Sequence, residues 1–189
     1  MGILLLSVGT SIMKTKIEGG NDMSKMLVVY YSWSNGNTKK IAEALARAKG
    51  AELAALETVT PYTGSHQEVV DQALDETKRG YEPAIKPLGK HLADYDVVAV
   101  GTPTWWYTMA PAVKTFLHTN DFAGKTVIPF MTNAGWPGHV IKDMTALAKA
   151  SGAQVAAPFE VKFDSEGGST QETSKAEVEN WIKSVPAGK

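Results

Sequence analysis

Along almost the whole chain, apolar runs with the composition of strands alternate with stretches of helical periodicity, and the connections between successive runs are too long for hairpins. Strands joined in that way must pair in parallel, through right-handed crossovers that place helices on both faces of one sheet. Residues 26–31 (MLVVYY) are an unbroken β-branched and aromatic run, as expected of a central strand covered on both faces. Residues 97–100 (VVAV) form the most apolar strand, and Gly101, Thr102 and Pro103 are expected to end it sharply. Residues 125–131 (KTVIPFM) form another, in which Pro129, lacking an N–H, must face a bulge or an unpaired position. The less apolar residues 52–58 belong nearer an edge, and residues 155–161 make the last strand.

The intervening segments carry helical spacing. Ile41, Ala42, Leu45 and Ala46 predict a helix over residues 37–49, stopped by Gly50. Val69, Val70, Ala73 and Leu74 mark a polar-faced helix ending near Gly80. Pro83 and Pro87 hold the next connection extended, and Pro111 suits the first turn of a helix carrying Val113, Phe116 and Leu117. Val140, Ile141, Met144, Leu147 and Ala148 predict another helix, closed by Gly152. Val178, Trp181, Ile182 and Val185 fall at i, i+3, i+4 and i+7 of a C-terminal helix, which makes Trp181 a core residue.

The composition narrows the chemistry. The 189 residues, 43% of them hydrophobic, suffice for one domain with a full core, expected over residues 23–189. Net charge is −1 and lysine and arginine are nowhere gathered into a stripe, which argues against nucleic acid as a partner. The chain has no cysteine, so disulfides, thiol catalysis and iron–sulfur ligation are excluded, and redox chemistry would need a borrowed cofactor. The apolar stretch from Gly2 to Met13 is shorter than the ~20 residues that cross a bilayer and has no positive charge ahead of it. Residues 1–22 are expected to be a flexible N-terminal extension, and the location cytoplasmic, with export or membrane association through that extension as the alternative.

Three polar or aromatic segments follow strand ends. The first is Ser32, Trp33, Ser34, Asn35, Gly36, Asn37 and Thr38, directly before a helix, where free N–H groups and the helix dipole favour an anion. The second is Pro103, Thr104, Trp105, Trp106 and Tyr107; the third is Thr132, Asn133, Ala134, Gly135, Trp136, Pro137 and Gly138. Open parallel sheets bind ligands beyond the carboxyl ends of their strands, so the three loops should converge on one crevice suited to a phosphorylated aromatic cofactor. A nucleoside-triphosphate loop is ruled out, because Gly36 is followed by Asn37 where that motif needs lysine. The first segment alone is equally readable as a polar turn with a helix cap. Adjacent residues of an extended loop point opposite ways, so one of Trp105 and Trp106 is expected to stack on a ligand ring, with Trp106 favoured.

His66, His91, His118 and His139 show no metal-ligand spacing, and no metal is expected; His139, next to the third loop, is placed to reach a ligand there. Glu68, Asp71, Asp75 and Glu76 read as a solvated helix face.

Taken together, Ser-x-Ser-x-Gly-Asn-Thr after the first strand, Gly101-Thr102-Pro103-Thr104-Trp105-Trp106-Tyr107 after the third, the run Gly124-Lys125-Thr126-Val127-Ile128-Pro129-Phe130 and the threonine-glycine loop after the fourth resemble the flavodoxin family. The resemblance is closest to flavodoxin-like proteins with Pro-x-Trp-Trp in the second loop, and it covers residues 26–185. It implies a five-stranded doubly wound parallel sheet of order 2-1-3-4-5 in a three-layer α/β/α sandwich. It implies flavin mononucleotide (FMN) as cofactor, its phosphate held by Ser32, Ser34, Asn35, Asn37 and Thr38 and its ring flanked by the other two loops. Two departures stand out: the phosphate loop carries one extra residue, apparently Asn35, and Trp136-Pro137 replaces small residues in the third loop.

The function that follows is electron transfer to a redox partner protein or small acceptor. The alternative is an oxidoreductase that uses NAD(P)H to reduce a quinone or similar molecule. A third reading is a flavin-independent interaction protein on the same fold.

Overall fold

The computed structural model describes residues 25–164 and 168–187; the expectations for residues 1–22 lie outside them. Strand β1 (Met26–Tyr30) is buried along its whole length and is central, flanked by β2 (Glu52–Ala55) and β3 (Val97–Trp105). β3 pairs in parallel with β5 (Thr126–Asn133), and β5 pairs in parallel with β6 (Gln154–Val155) and β7 (Phe159–Lys162). The spatial order is β2-β1-β3-β5-β6, with β7 on the same flank of β5 as β6. Since β6 and β7 are two pieces of one edge strand, this is the expected 2-1-3-4-5 arrangement with β2 at the opposite edge.

Pro129 explains why that edge is broken. The Val127 carbonyl accepts from the Ala156 N–H and the Asn133 carbonyl from the Phe163 N–H, so odd-numbered residues of β5 face this flank. Pro129 therefore turns its missing donor toward the gap between β6 and β7, where Ala157 adopts a left-handed φ of 43°. The single strand expected over residues 155–161 is interrupted for want of that hydrogen bond.

The expectation that β3 ends at Gly101 is corrected: the strand continues to Trp105 and pairs with β5 through Pro103 and Thr132. Gly101 is required there, because a Cβ would lie 2.2 Å from the Phe130 ring. The Gly101 carbonyl accepts from the Tyr31 N–H, so odd-numbered residues of β3 face β1. Pro103 consequently points its nitrogen past the end of β1, where no ladder bond is lost.

The chain then turns back in a short antiparallel hairpin, β4 (Thr108–Met109) pairing Thr108 with Trp105. A hairpin was unexpected. Its two-residue turn holds Trp106 and Tyr107 at φ of 46° and 67°, left-handed values normally supplied by Asn-Gly.

Helices α1 (Asn37–Lys49) and α5 (Lys175–Ser184) cover one face of the sheet; α2 (His66–Arg79), α3 (Pro111–Thr119) and α4 (Val140–Ala150) cover the other. Strand alternation sorts the core into two layers. Val28, Tyr30, Ala99, Ile128 and Phe130 meet Ile41, Leu45, Val178 and Trp181, whereas Leu27, Val29, Val98, Val100 and Val127 meet Val69, Val113, Phe116 and Met144. Each such large side chain contributes about 1.5–3 kcal/mol on burial. Ser65 with Glu68, and Ser174 with Glu177, close the first turns of α2 and α5 as reciprocal capping boxes.

Candidate functional site

The carboxyl ends of β1, β3 and β5 open onto one cavity of about 290 Å³. Its walls include Trp33, Ser34, Asn35, Asn37 and Thr38 from the first loop, Pro103, Thr104, Trp105 and Trp106 from the second, and Thr132, Asn133 and Ala134 from the third. A second cavity of about 260 Å³ lies against Tyr107 and Trp136 and shares Thr104, Trp106, Asn133 and Ala134 with the first. Of the expected site residues, Ser32, Gly36, Gly135 and Gly138 line neither cavity.

At the first loop, α1 starts from Gly36 in a left-handed conformation; this residue has no side chain to cap the helix, and the first turn holds no acidic residue. This end of the helix is thus open to an anion. Ser34 is left-handed as well, at φ 62°. Ser32 Oγ instead accepts from the Lys39 N–H at 3.4 Å and braces the loop.

Inside the rim, the Thr38 and Thr132 hydroxyls pair at 2.8 Å, joining the first and third loops. The Asn37 Nδ2 donates to the Gly168 carbonyl at 2.8 Å, whereas its buried Oδ1 has no hydrogen-bond partner among the described residues. The Asn133 Oδ1 accepts the Gly135 N–H at 2.7 Å and shapes the third loop.

Aromatic rings form the rest of the wall. Trp105 is buried among Tyr31, Tyr62 and Trp33, whereas Trp106 is 38% exposed, and both line the first cavity. The Trp106 indole N–H donates to the Val70 carbonyl of α2 at 2.8 Å, which fixes the hairpin over the cavity. Trp136 is 66% exposed and Tyr107 is 49% exposed, so the bulky indole of the third loop faces outward beside the second cavity.

Several lining residues escaped sequence reasoning. Val69, Val70 and Ala73 carried only a core-face signal, Phe163 follows a strand that was read as ending earlier, and His66 was one of four scattered histidines. The His66 ring lies 5.7 Å from that of Trp33. His139 lines neither rim cavity; its Nδ1 meets Asp143, and it borders a separate cavity between α2, α3 and α4. The solvated acidic face is corrected at Glu76, which is 4% exposed and accepts the Tyr62 hydroxyl at 2.6 Å. Burial, with Glu76 nearby, pushes the Tyr31 and Tyr62 phenols well above the ordinary tyrosine range.

Among the described residues, no lysine or arginine lines either rim cavity. Among the described residues no cluster of His, Asp and Glu could hold a metal ion, and no helix is long and apolar enough to cross a membrane.

A doubly wound α/β sheet whose strand rim combines a helix N-terminus with an aromatic-walled cavity is an architecture of flavodoxin type. The chain belongs to the flavodoxin family, whose profile matches residues 25–185. A flavoprotein of Lactobacillus acidophilus, solved in complex with FMN, is 25% identical and superposes with a TM-score of 0.63 over 84% of this chain and 98% of that one. A candidate flavoprotein of Bacteroides eggerthii is 26% identical, with a TM-score of 0.68 over 85% of this chain and 96% of its own. Among curated proteins, NAD(P)H dehydrogenase (quinone) 3 of Rhizobium meliloti is 38% identical over 98 residues, which are 50% of this chain and 43% of that protein. The match thus spans less than half the length of that relative.

Proposed function

We propose that this chain binds FMN across the rim cavity and acts in electron transfer. The observation that carries this reading is the polarity gradient of a single cavity: an open helix N-terminus and neutral hydroxyls at one end, aromatic walls at the other. The α1 amides with Ser34, Asn35 and Thr38 hold the phosphate without a metal or an arginine. Asn37 Oδ1 accepts a hydroxyl of the sugar-like chain, and Trp106, Tyr107, Ala134 and Trp136 flank the ring. Ser32, Gly36, Gly135 and Gly138 shape these loops from behind.

When bound, the flavin supplies the reversible one- and two-electron chemistry of the proposed function. The protein's share is positional and electrostatic. Trp105 and its neighbours exclude water from the inner wall, and the absence of basic residues disfavours added negative charge on the ring. The exposed Trp106, Tyr107 and Trp136 surround the side from which a redox partner or small acceptor approaches.

A second reading, an NAD(P)H-dependent reductase of a quinone or similar acceptor, is favoured by the names of the curated relatives and by the adjoining cavity at Trp136, which offers room for a second planar molecule. Absorption and fluorescence titration of the purified chain with FMN tests binding, with saturation at one equivalent expected. Steady NAD(P)H consumption in the presence of a quinone would then favour the reductase, and its absence the carrier. A colourless protein that ignores added FMN overturns both.

A further inference from the structure

Glu76 is a buried acid that the proposed cofactor site does not employ. It is 4% exposed, its Oε2 accepts the Tyr62 hydroxyl at 2.6 Å, and its Oε1 accepts from Gln72 Nε2 at 2.8 Å. Among the described residues no lysine, arginine or histidine forms an ion pair with it. A carboxylate so placed is costly to desolvate and relies on its hydrogen bonds.

Tyr62 links this acid to the cavity. Its ring centroid lies 4.9 Å from that of Trp105, nearly perpendicular to it, and Trp105 in turn lies 6.4 Å from Trp33. Trp33 and Trp105 both line the cavity. The rings therefore make a contact chain from the cavity wall to a phenol that is hydrogen-bonded to an acid. An oxidised indole can keep its positive charge, whereas an oxidised phenol is so strong an acid that its proton must leave with the electron. A phenol already bonded to a carboxylate has that acceptor in place.

We propose that Trp105, Tyr62 and Glu76 form a relay that drains one-electron oxidising equivalents from the cavity. The proposal rests on the flavin reading, since a photoexcited or otherwise strongly oxidising flavin is the one-electron oxidant that would occupy the cavity Trp105 lines. Trp105 loses one electron to that oxidant, which is reduced by one electron. Tyr62 returns an electron to Trp105 and passes its hydroxyl proton to Glu76 Oε2. Trp105 is restored, and a neutral phenoxyl radical and a protonated carboxyl remain. Tyr62 is only partly buried, so reductants in solution can repair it there. Its elevated pKa keeps the proton on the phenol until oxidation occurs.

The test is laser-flash transient absorption, with electron paramagnetic resonance, on the FMN-loaded chain and on Tyr62→Phe and Glu76→Gln. A glutamine can still accept the Tyr62 hydrogen bond but is a far poorer proton acceptor, so the second variant separates proton transfer from mere packing. The expected result is a neutral tyrosyl radical growing in as an indole radical decays. In Tyr62→Phe its yield should fall several-fold and the indole radical should persist; in Glu76→Gln its formation should slow several-fold at unchanged FMN affinity. An unchanged tyrosyl yield in Tyr62→Phe, or an unchanged rate in Glu76→Gln, overturns the relay. FMN titration beforehand tests the flavin reading separately. If no flavin binds, the same variants are compared with photogenerated tris(bipyridyl)ruthenium(III) as oxidant, and the same two outcomes decide.

Discussion

Gly138 lies against the backbone of Tyr107 so closely that a Cβ on it would stand 2.2 Å from the Tyr107 carbonyl oxygen, which also accepts the His139 N–H at 2.8 Å. The third loop thereby clamps the strained turn of the second. Gly138 is itself left-handed at φ 57°, so Gly138→Ala adds strain to a collision. The expected loss is about 1–3 kcal/mol in urea unfolding, together with weaker FMN binding, because the hairpin that carries Trp106 and Tyr107 must move. Unchanged stability and affinity would show that the clamp is dispensable.

Thr38 and Thr132 should behave as a coupled pair. Thr38→Val keeps the shape but strands the buried Thr132 hydroxyl, at a cost of about 1–3 kcal/mol. Thr38 also belongs to the phosphate cradle, so calorimetry with FMN should show affinity reduced by about tenfold, the equivalent of ~1.4 kcal/mol.

At the centre of the sheet, Gly101→Ala drives a methyl group into the Phe130 ring and should cost about 1–3 kcal/mol by overpacking. Adding Phe130→Leu should recover part of that loss, giving a coupling of about 0.5–3 kcal/mol in a double-mutant cycle. Strict additivity of the two changes would contradict the contact.

The fully reduced couple of bound FMN should lie below that of the free cofactor. Among the described residues, the lining of both rim cavities has no lysine or arginine to stabilise the anionic reduced ring. Spectroelectrochemical titration measures this directly, and a potential above that of free flavin would refute it.

Much of this architecture was legible because it rests on local chemistry. The bounds of α1 follow from Ile41, Ala42, Leu45 and Ala46 and from the left-handed Gly50 that ends it. The position of β1 at the centre follows from its continuous apolar run, and Pro129 called for a bulge or an unpaired position, which it meets at the gap between β6 and β7. The polar first loop and the aromatic second loop were recognisable by composition alone, and both line one cavity.

Other features were hidden. Type I′ hairpin turns are signalled by Asn-Gly, and Trp106-Tyr107 carries no such signal, because its conformation is imposed by Gly138 and by the Trp106 bond to Val70. Glu76 sits at helical spacing among acidic residues that do face solvent, and only the approach of Tyr62 from a different connection draws it inward. The contribution of Val69, Val70 and Ala73 to the cavity depends on where α2 lies over the rim, which its own periodicity cannot state.

Patterns of burial, capping and turn chemistry act between near neighbours in the chain, and so the order of elements along it, the layers and the three loops at the strand ends could be read from residue spacing. The contacts between those loops, the left-handed turn at Trp106 and the burial of Glu76 arise where distant segments press on one another. They depend on a fit in space, which local spacing cannot encode.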